Sequence, residues 1–142
     1  MHAKKFLVTL AILFSFGCST PSPSQVKQSF DINAAIQKAG QLASPEQTEM
    51  YMFYLPEGTS VDSVKSKLTV LLKQAATTRA TVAVIGPDFN LSYNTLNSTL
   101  VDLETDDLKG AEIIYLGAQA HFRELENLSN LKGASFKATS FP

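Results

Sequence analysis

Thr81-Val82-Ala83-Val84-Ile85-Gly86-Pro87-Asp88 is the stretch that decides the fold. A short unbroken run of β-branched and small apolar residues, stopped by Gly-Pro, has the composition of a strand covered on both faces, as parallel sheets require. Such a strand needs helices beside it, and the flanking sequence supplies them. Upstream, Val61, Val64, Leu68, Leu71, Leu72 and Ala75 recur at helical spacing, with Thr59 and Asp62 placed as a capping-box-like start. Val64, Leu68 and Leu71 are expected to face the strands. Downstream, Leu96, Leu100 and Leu103 form a second stripe. Tyr93, Asn94, Thr95, Asn97, Ser98 and Thr99 around it are poor helix formers, so either packing of the stripe holds that helix or part of it is loop.

Further out the pattern repeats. Met50 to Leu55, Met-Tyr-Met-Phe-Tyr-Leu, is expected to be a buried central strand, and Glu112 to Leu116 a further strand. Ala118 to Leu128 predicts a helix with Phe122, Leu125 and Leu128 inward. Ala134 to Thr139 alternates apolar and polar residues, which suits an edge strand. Before the first strand, Ile32, Ala35, Ile36, Ala39, Leu42 and Ala43 mark a helix that Ser29 or Asp31 could cap and that stops before Pro45. Leu108-Lys109-Gly110-Ala111 and Leu131-Lys132-Gly133-Ala134 echo each other, each setting a glycine where a helix gives way to a strand. The order predicts an α/β fold: a small, mostly parallel sheet of about four strands with helices packed on it, spanning residues 29–142 as a single domain.

In such sheets ligands bind beyond the carboxyl ends of the strands. Here those ends are the loops Pro56 to Thr59, Gly86 to Asn90 and Gly117 to Gln119, and the polar residues that could face a ligand there are Glu57, Asp88, Asn90, Gln119 and His121. The chain offers little for catalysis. Apart from His2 in the first residues, His121 is the only histidine, and Cys18 is the only cysteine, so no metal site or Cys/His pair is expected. Ser92, His121 and Asp88 could formally make a triad but lack the Gly-x-Ser-x-Gly elbow, and no glycine loop for phosphate is present. No cofactor and no enzymatic activity are expected. The formal net charge of −1, with no basic block, also argues against nucleic-acid binding.

The N-terminus carries an address. Lys4 and Lys5 precede the apolar run Phe6 to Phe16, followed by Gly17 and Cys18. The run is shorter than the roughly 20 apolar residues needed to span a bilayer, so it has the form of a removable signal segment. Its end resembles the lipobox of bacterial lipoproteins, although Ser15 and Phe16 stand where leucine and a small residue are usual. The resemblance implies signal peptide 1–17 and a lipid on Cys18 (palmitate among its acyl chains). A lone thiol that is lipidated also avoids the liability of an unpaired cysteine in an oxidising compartment. Residues 18–28 hold that cysteine and a tether, in which Ser19 to Gln25 is rich in proline and hydroxyl residues and seven to ten residues reach roughly 25 to 35 Å. In the Gram-negative lipoprotein class an aspartate after the cysteine favours retention at the inner membrane, so Ser19 resembles that class's outer-membrane default, which implies a domain on the periplasmic face.

The stretch Met50 to Leu116 also resembles, in element order, OmpA-like peptidoglycan-binding domains, through Gly86-x-Asp88 and Asn90-Leu91-Ser92. Only Asp88 matches that family's binding residues. The arginine that the family sets in the second helix has no counterpart between Ser92 and Leu108. The expected function is therefore that of a lipid-anchored adaptor of an envelope-spanning assembly (secretion, conjugation or pilus type) acting through protein contacts. Binding of peptidoglycan or another small envelope ligand is the alternative.

Overall fold

The computed structural model describes residues 30–142. The expected signal segment, Cys18, the expected tether and Ser29 lie outside the described residues. Helix α1 (Ile32–Leu42) comes first, capped by Asp31, whose carboxylate accepts from the Ala34 amide at 3.0 Å. Then follow β1 (Met50–Tyr54), α2 (Val61–Thr78), β2 (Thr81–Ile85), α3 (Phe89–Asp102), β3 (Glu112–Gly117), a 3-10 turn (Gln119–His121) leading into α4 (Phe122–Leu131), and β4 (Ser135–Ser140). The four strands are all parallel and lie in the order β1-β2-β3-β4. No helix among the described residues is long and apolar enough to cross a membrane.

Consecutive strand order with crossovers of one hand places all the crossover helices on one face. Residues of α2, α3 and α4 accordingly share one core with Tyr51, Phe53, Val82, Val84, Ile113, Tyr115, Phe136 and Ala138. The alternate residues Met50, Met52, Ala83, Ile85, Ile114 and Leu116 face α1, Phe30 and Phe141 on the other side. Parallel strands need cover on both faces, and β2 and β3 receive it: every residue of both is buried.

Several expectations change. Met50 to Leu55 is not a central strand: β1 pairs only with β2 and is half-buried. Its apolar side chains reflect cover above and below the sheet, whereas central position depends on a neighbour along the hydrogen-bonding direction, which composition does not report. Helix α2 starts from Ser60 with no side-chain cap, while the Thr59 hydroxyl turns back to the Pro56 carbonyl at 2.7 Å. In α1 the alanines, not the isoleucines, meet the sheet. Ala35 and Ala39 are buried, while Ile32 and Ile36 are each 38% exposed, because small side chains let this helix lie close to β2 and β3.

The echoed segments pack against each other. The Leu108 amide donates to the Lys132 carbonyl at 2.7 Å, and both glycines take positive φ, +101° at Gly110 and +96° at Gly133. Only Gly133 directly follows a helix; Gly110 closes a turn region after α3 has ended at Asp102. The Lys132 ammonium reaches the Leu103 carbonyl and so closes the end of α3.

Candidate functional site

The five strand-end residues do not converge through hydrogen bonds. Asp88 is the N-cap of α3, its carboxylate accepting from the amides of Asn90 (3.0 Å) and Leu91 (3.1 Å). The side chains of Glu57, Asn90 and Gln119 make no hydrogen bond among the described residues, and all three residues are exposed. The strand order never reverses, so the sheet lacks the crevice that a reversal opens in doubly wound folds.

His121 alone sits in a built environment. The turn after β3 carries it back over that strand, where its Nδ1 lies 2.9 Å from the Tyr115 hydroxyl and its ring stacks on Tyr93 at 4.1 Å. The Tyr93 hydroxyl donates to Glu124 at 2.6 Å, and Asn97 donates to the same carboxylate at 3.1 Å, tying α3 to α4. Gly117 permits this arrangement, since a Cβ there would lie 2.5 Å from the Tyr115 hydroxyl. Burial pushes the Tyr115 phenol up to about 12, partly opposed by the Ala118 amide and aided by nearby Tyr93. The hydrogen bond to Glu124, with burial second, raises Tyr93.

This makes a prediction for alkaline pH. The raised value favours the neutral phenol in the folded state, so its contribution to stability is complete below about pH 10 and lost as pH rises towards about 12. Tyr115→Phe should remove that part of the alkaline stability loss. Chemical denaturation between pH 9 and 12, run on both proteins, checks it.

The formal triad is not assembled. The Ser92 hydroxyl is buried with no partner among the described residues, as is that of Thr95, while His121 is engaged by Tyr115 and Asp88 by the helix end. Ser92, Thr95 and Thr99 are small residues on the buried face of α3, where they let the helix approach the sheet. Among the described residues no group of three His, Cys, Asp or Glu side chains could hold a metal ion.

A groove of about 650 Å³ lies on the α1 side of the sheet, at the carboxyl ends of β2 and β4. Phe30, Pro87, Phe89, Phe141 and Pro142 give it apolar surfaces; Asp31, Gln37, Lys38 and Gln41 of the first helical segment give it a polar wall. Its volume falls within the range of ligand sites. Sequence reasoning located one of its loops, Gly86 to Asn90, but singled out Asp88 and Asn90 there and passed over Pro87 and Phe89. The remaining signal was weak: Phe30 and Phe141 are single aromatics far apart in the chain.

At the opposite end of the sheet, Glu112 is a carboxylate only 1% exposed. It accepts from the Ser44 amide (3.0 Å), the Ser44 hydroxyl (2.6 Å) and the Thr81 hydroxyl (2.8 Å), with Lys137 at 3.4 Å. Burial raises its pKa, but the Ser44 and Thr81 hydrogen bonds and the Lys137 charge outweigh that and hold it below the usual carboxylate range. Lys137 also donates to the Leu42 carbonyl at 2.9 Å and to the Ser44 hydroxyl at 2.7 Å, so the network fastens the end of α1 to three strands. Its position fits a structural role. No family model, curated protein or solved structure matches the chain.

Proposed function

We propose that the protein is a lipid-anchored binding module without catalytic chemistry. It is held at the periplasmic face of the outer membrane, and its groove takes an extended apolar peptide segment of an envelope-spanning assembly. The groove is the observation that carries this reading. Gln37 and Gln41 lie one turn apart on α1, about 6 Å along its axis, close to the roughly 6.6 Å between alternate residues of an extended strand. Each glutamine amide offers both a donor and an acceptor, which suits a peptide backbone, while Phe30, Phe89 and Phe141 suit its apolar side chains. Anchoring rests on the lipobox resemblance at Cys18. The peptidoglycan alternative gains little from Asp88, whose Oδ1 caps α3 and which makes no ion pair among the described residues.

The chain contains no tryptophan, so a tryptophan-bearing peptide reports its own burial without background. Emission from a short peptide of alternating apolar residues should shift to the blue on binding. Phe89→Asp should abolish the shift, and alanine at Asp88, Ser92 or His121 should leave it intact in folded protein. No shift with wild type would overturn the groove reading, and loss of function in folded, membrane-attached His121→Ala with peptide binding retained would favour chemistry at His121 instead. The anchor is tested separately: Cys18→Ser should eliminate metabolic labelling by fatty acid, and an unlabelled wild type would refute it.

A further inference from the structure

We infer that β1 is a dimerisation edge, along which two copies of this chain pair antiparallel about a two-fold axis at Met52 and extend the parallel sheet through both. In a strand, alternate residues direct their backbone groups to opposite sides. The Leu55 amide donates to the Ile85 carbonyl at 2.9 Å and the Thr81 amide to the Glu49 carbonyl at 2.9 Å, which fixes the phase: Tyr51 and Phe53 address β2. The N–H and C=O groups of Met50, Met52 and Tyr54 therefore point away from the sheet, and they have no backbone partner among the described residues.

Natural edge strands are blunted by charge, proline or a bulge. The other edge, β4, carries Lys137 and several hydroxyl residues. Met50 to Tyr54 has none of these devices: it is Met-Tyr-Met-Phe-Tyr, in unbroken register with β2.

The strand fits a second copy of itself in three ways. With Met52 opposite the partner's Met52, Met50 falls opposite the partner's Tyr54, and all three outward-pointing residues form hydrogen-bonded pairs. A shift of one residue would set outward groups against inward ones. Tyr51 then lies opposite the partner's Phe53 on the helix-covered face, an aromatic cross-strand pair. On the α1 face, half-buried Met50 and Met52 and the 41% exposed Tyr54 join their symmetry mates into one apolar strip. The nearest charge, Glu49, falls opposite the partner's Leu55, so no like charges meet.

Light scattering on the full-length chain in mild detergent tests this. Wild type should show a two-copy protein mass. Met52→Lys, which sets two ammonium groups against each other, and Met52→Pro, which deletes an outward N–H but spares the β1–β2 ladder, should both halve it with the circular dichroism unchanged. Should either variant unfold, Met52→Cys decides: oxidation should give an intermolecular disulfide that neither wild type, with Cys18 alone, nor Val70→Cys yields. A single-copy mass for wild type overturns the inference, whether the edge is then filled by residues before Phe30 or by another protein's strand. A two-copy mass that persists in folded Met52→Lys, or no Met52→Cys disulfide, overturns it as well.

Discussion

Glu112→Ala should lower the unfolding free energy by about 3 kcal/mol. The wild-type carboxylate is the common acceptor for the Ser44 amide and the Ser44 and Thr81 hydroxyls. Each buried donor left without an acceptor costs about 1–3 kcal/mol, and the losses are not additive because water and local shifts repair some of them. Glu112→Gln, which keeps the volume and one acceptor, should lose less. The pH dependence separates charge from shape. The folded-state pKa is depressed, so the contribution of the charge is complete above the unfolded value of about 4.3 and disappears as pH falls through the folded value. Glu112→Gln should lack that part of the acid dependence. Urea midpoints from pH 2 to 7 on both variants check the prediction, and an identical acid slope for Glu112→Gln and wild type would contradict it.

Leu68→Ala should cost about 2–5 kcal/mol, the range found when a buried leucine leaves a cavity. Leu68 is 0% exposed and lies on the face of α2 that also buries Leu72 and Ala75, in one cluster with Val82 and Val84 of β2. Helix α2 sits between the edge strand and α3, and the Lys65–Asp102 ion pair joins α2 to α3 only at the surface. Core packing therefore has to hold this corner. Val70→Ala, at a position 65% exposed on the same helix, should change the denaturation midpoint little, which makes it the control for helix propensity. An unchanged midpoint in Leu68→Ala would mean that the buried face of α2 is misassigned.

The sequence by itself determined the succession of strands and helices, the parallel character of the sheet and the edge position of β4. Each rests on local periodicity or composition: the buried runs of β2 and β3, the leucine stripes of α2 and α3, the polar alternation of Ser135 to Thr139. For the weakly helical Tyr93 to Thr99 the sequence left helix and partial loop open, and the structure shows one continuous helix with Leu96 and Leu100 buried. Tertiary structure alone decided that β1 lies at the other edge, that Glu112 meets Ser44, Thr81 and Lys137, and that His121 folds back on Tyr115. It alone drew Phe30, Phe89 and Phe141 to one groove. The physical reason is common to all of these. Hydrophobic period reports whether a side chain is covered, a property of its own turn or strand; which neighbour covers it, and which distant side chains then share a cavity, follows from the order in which strands pair.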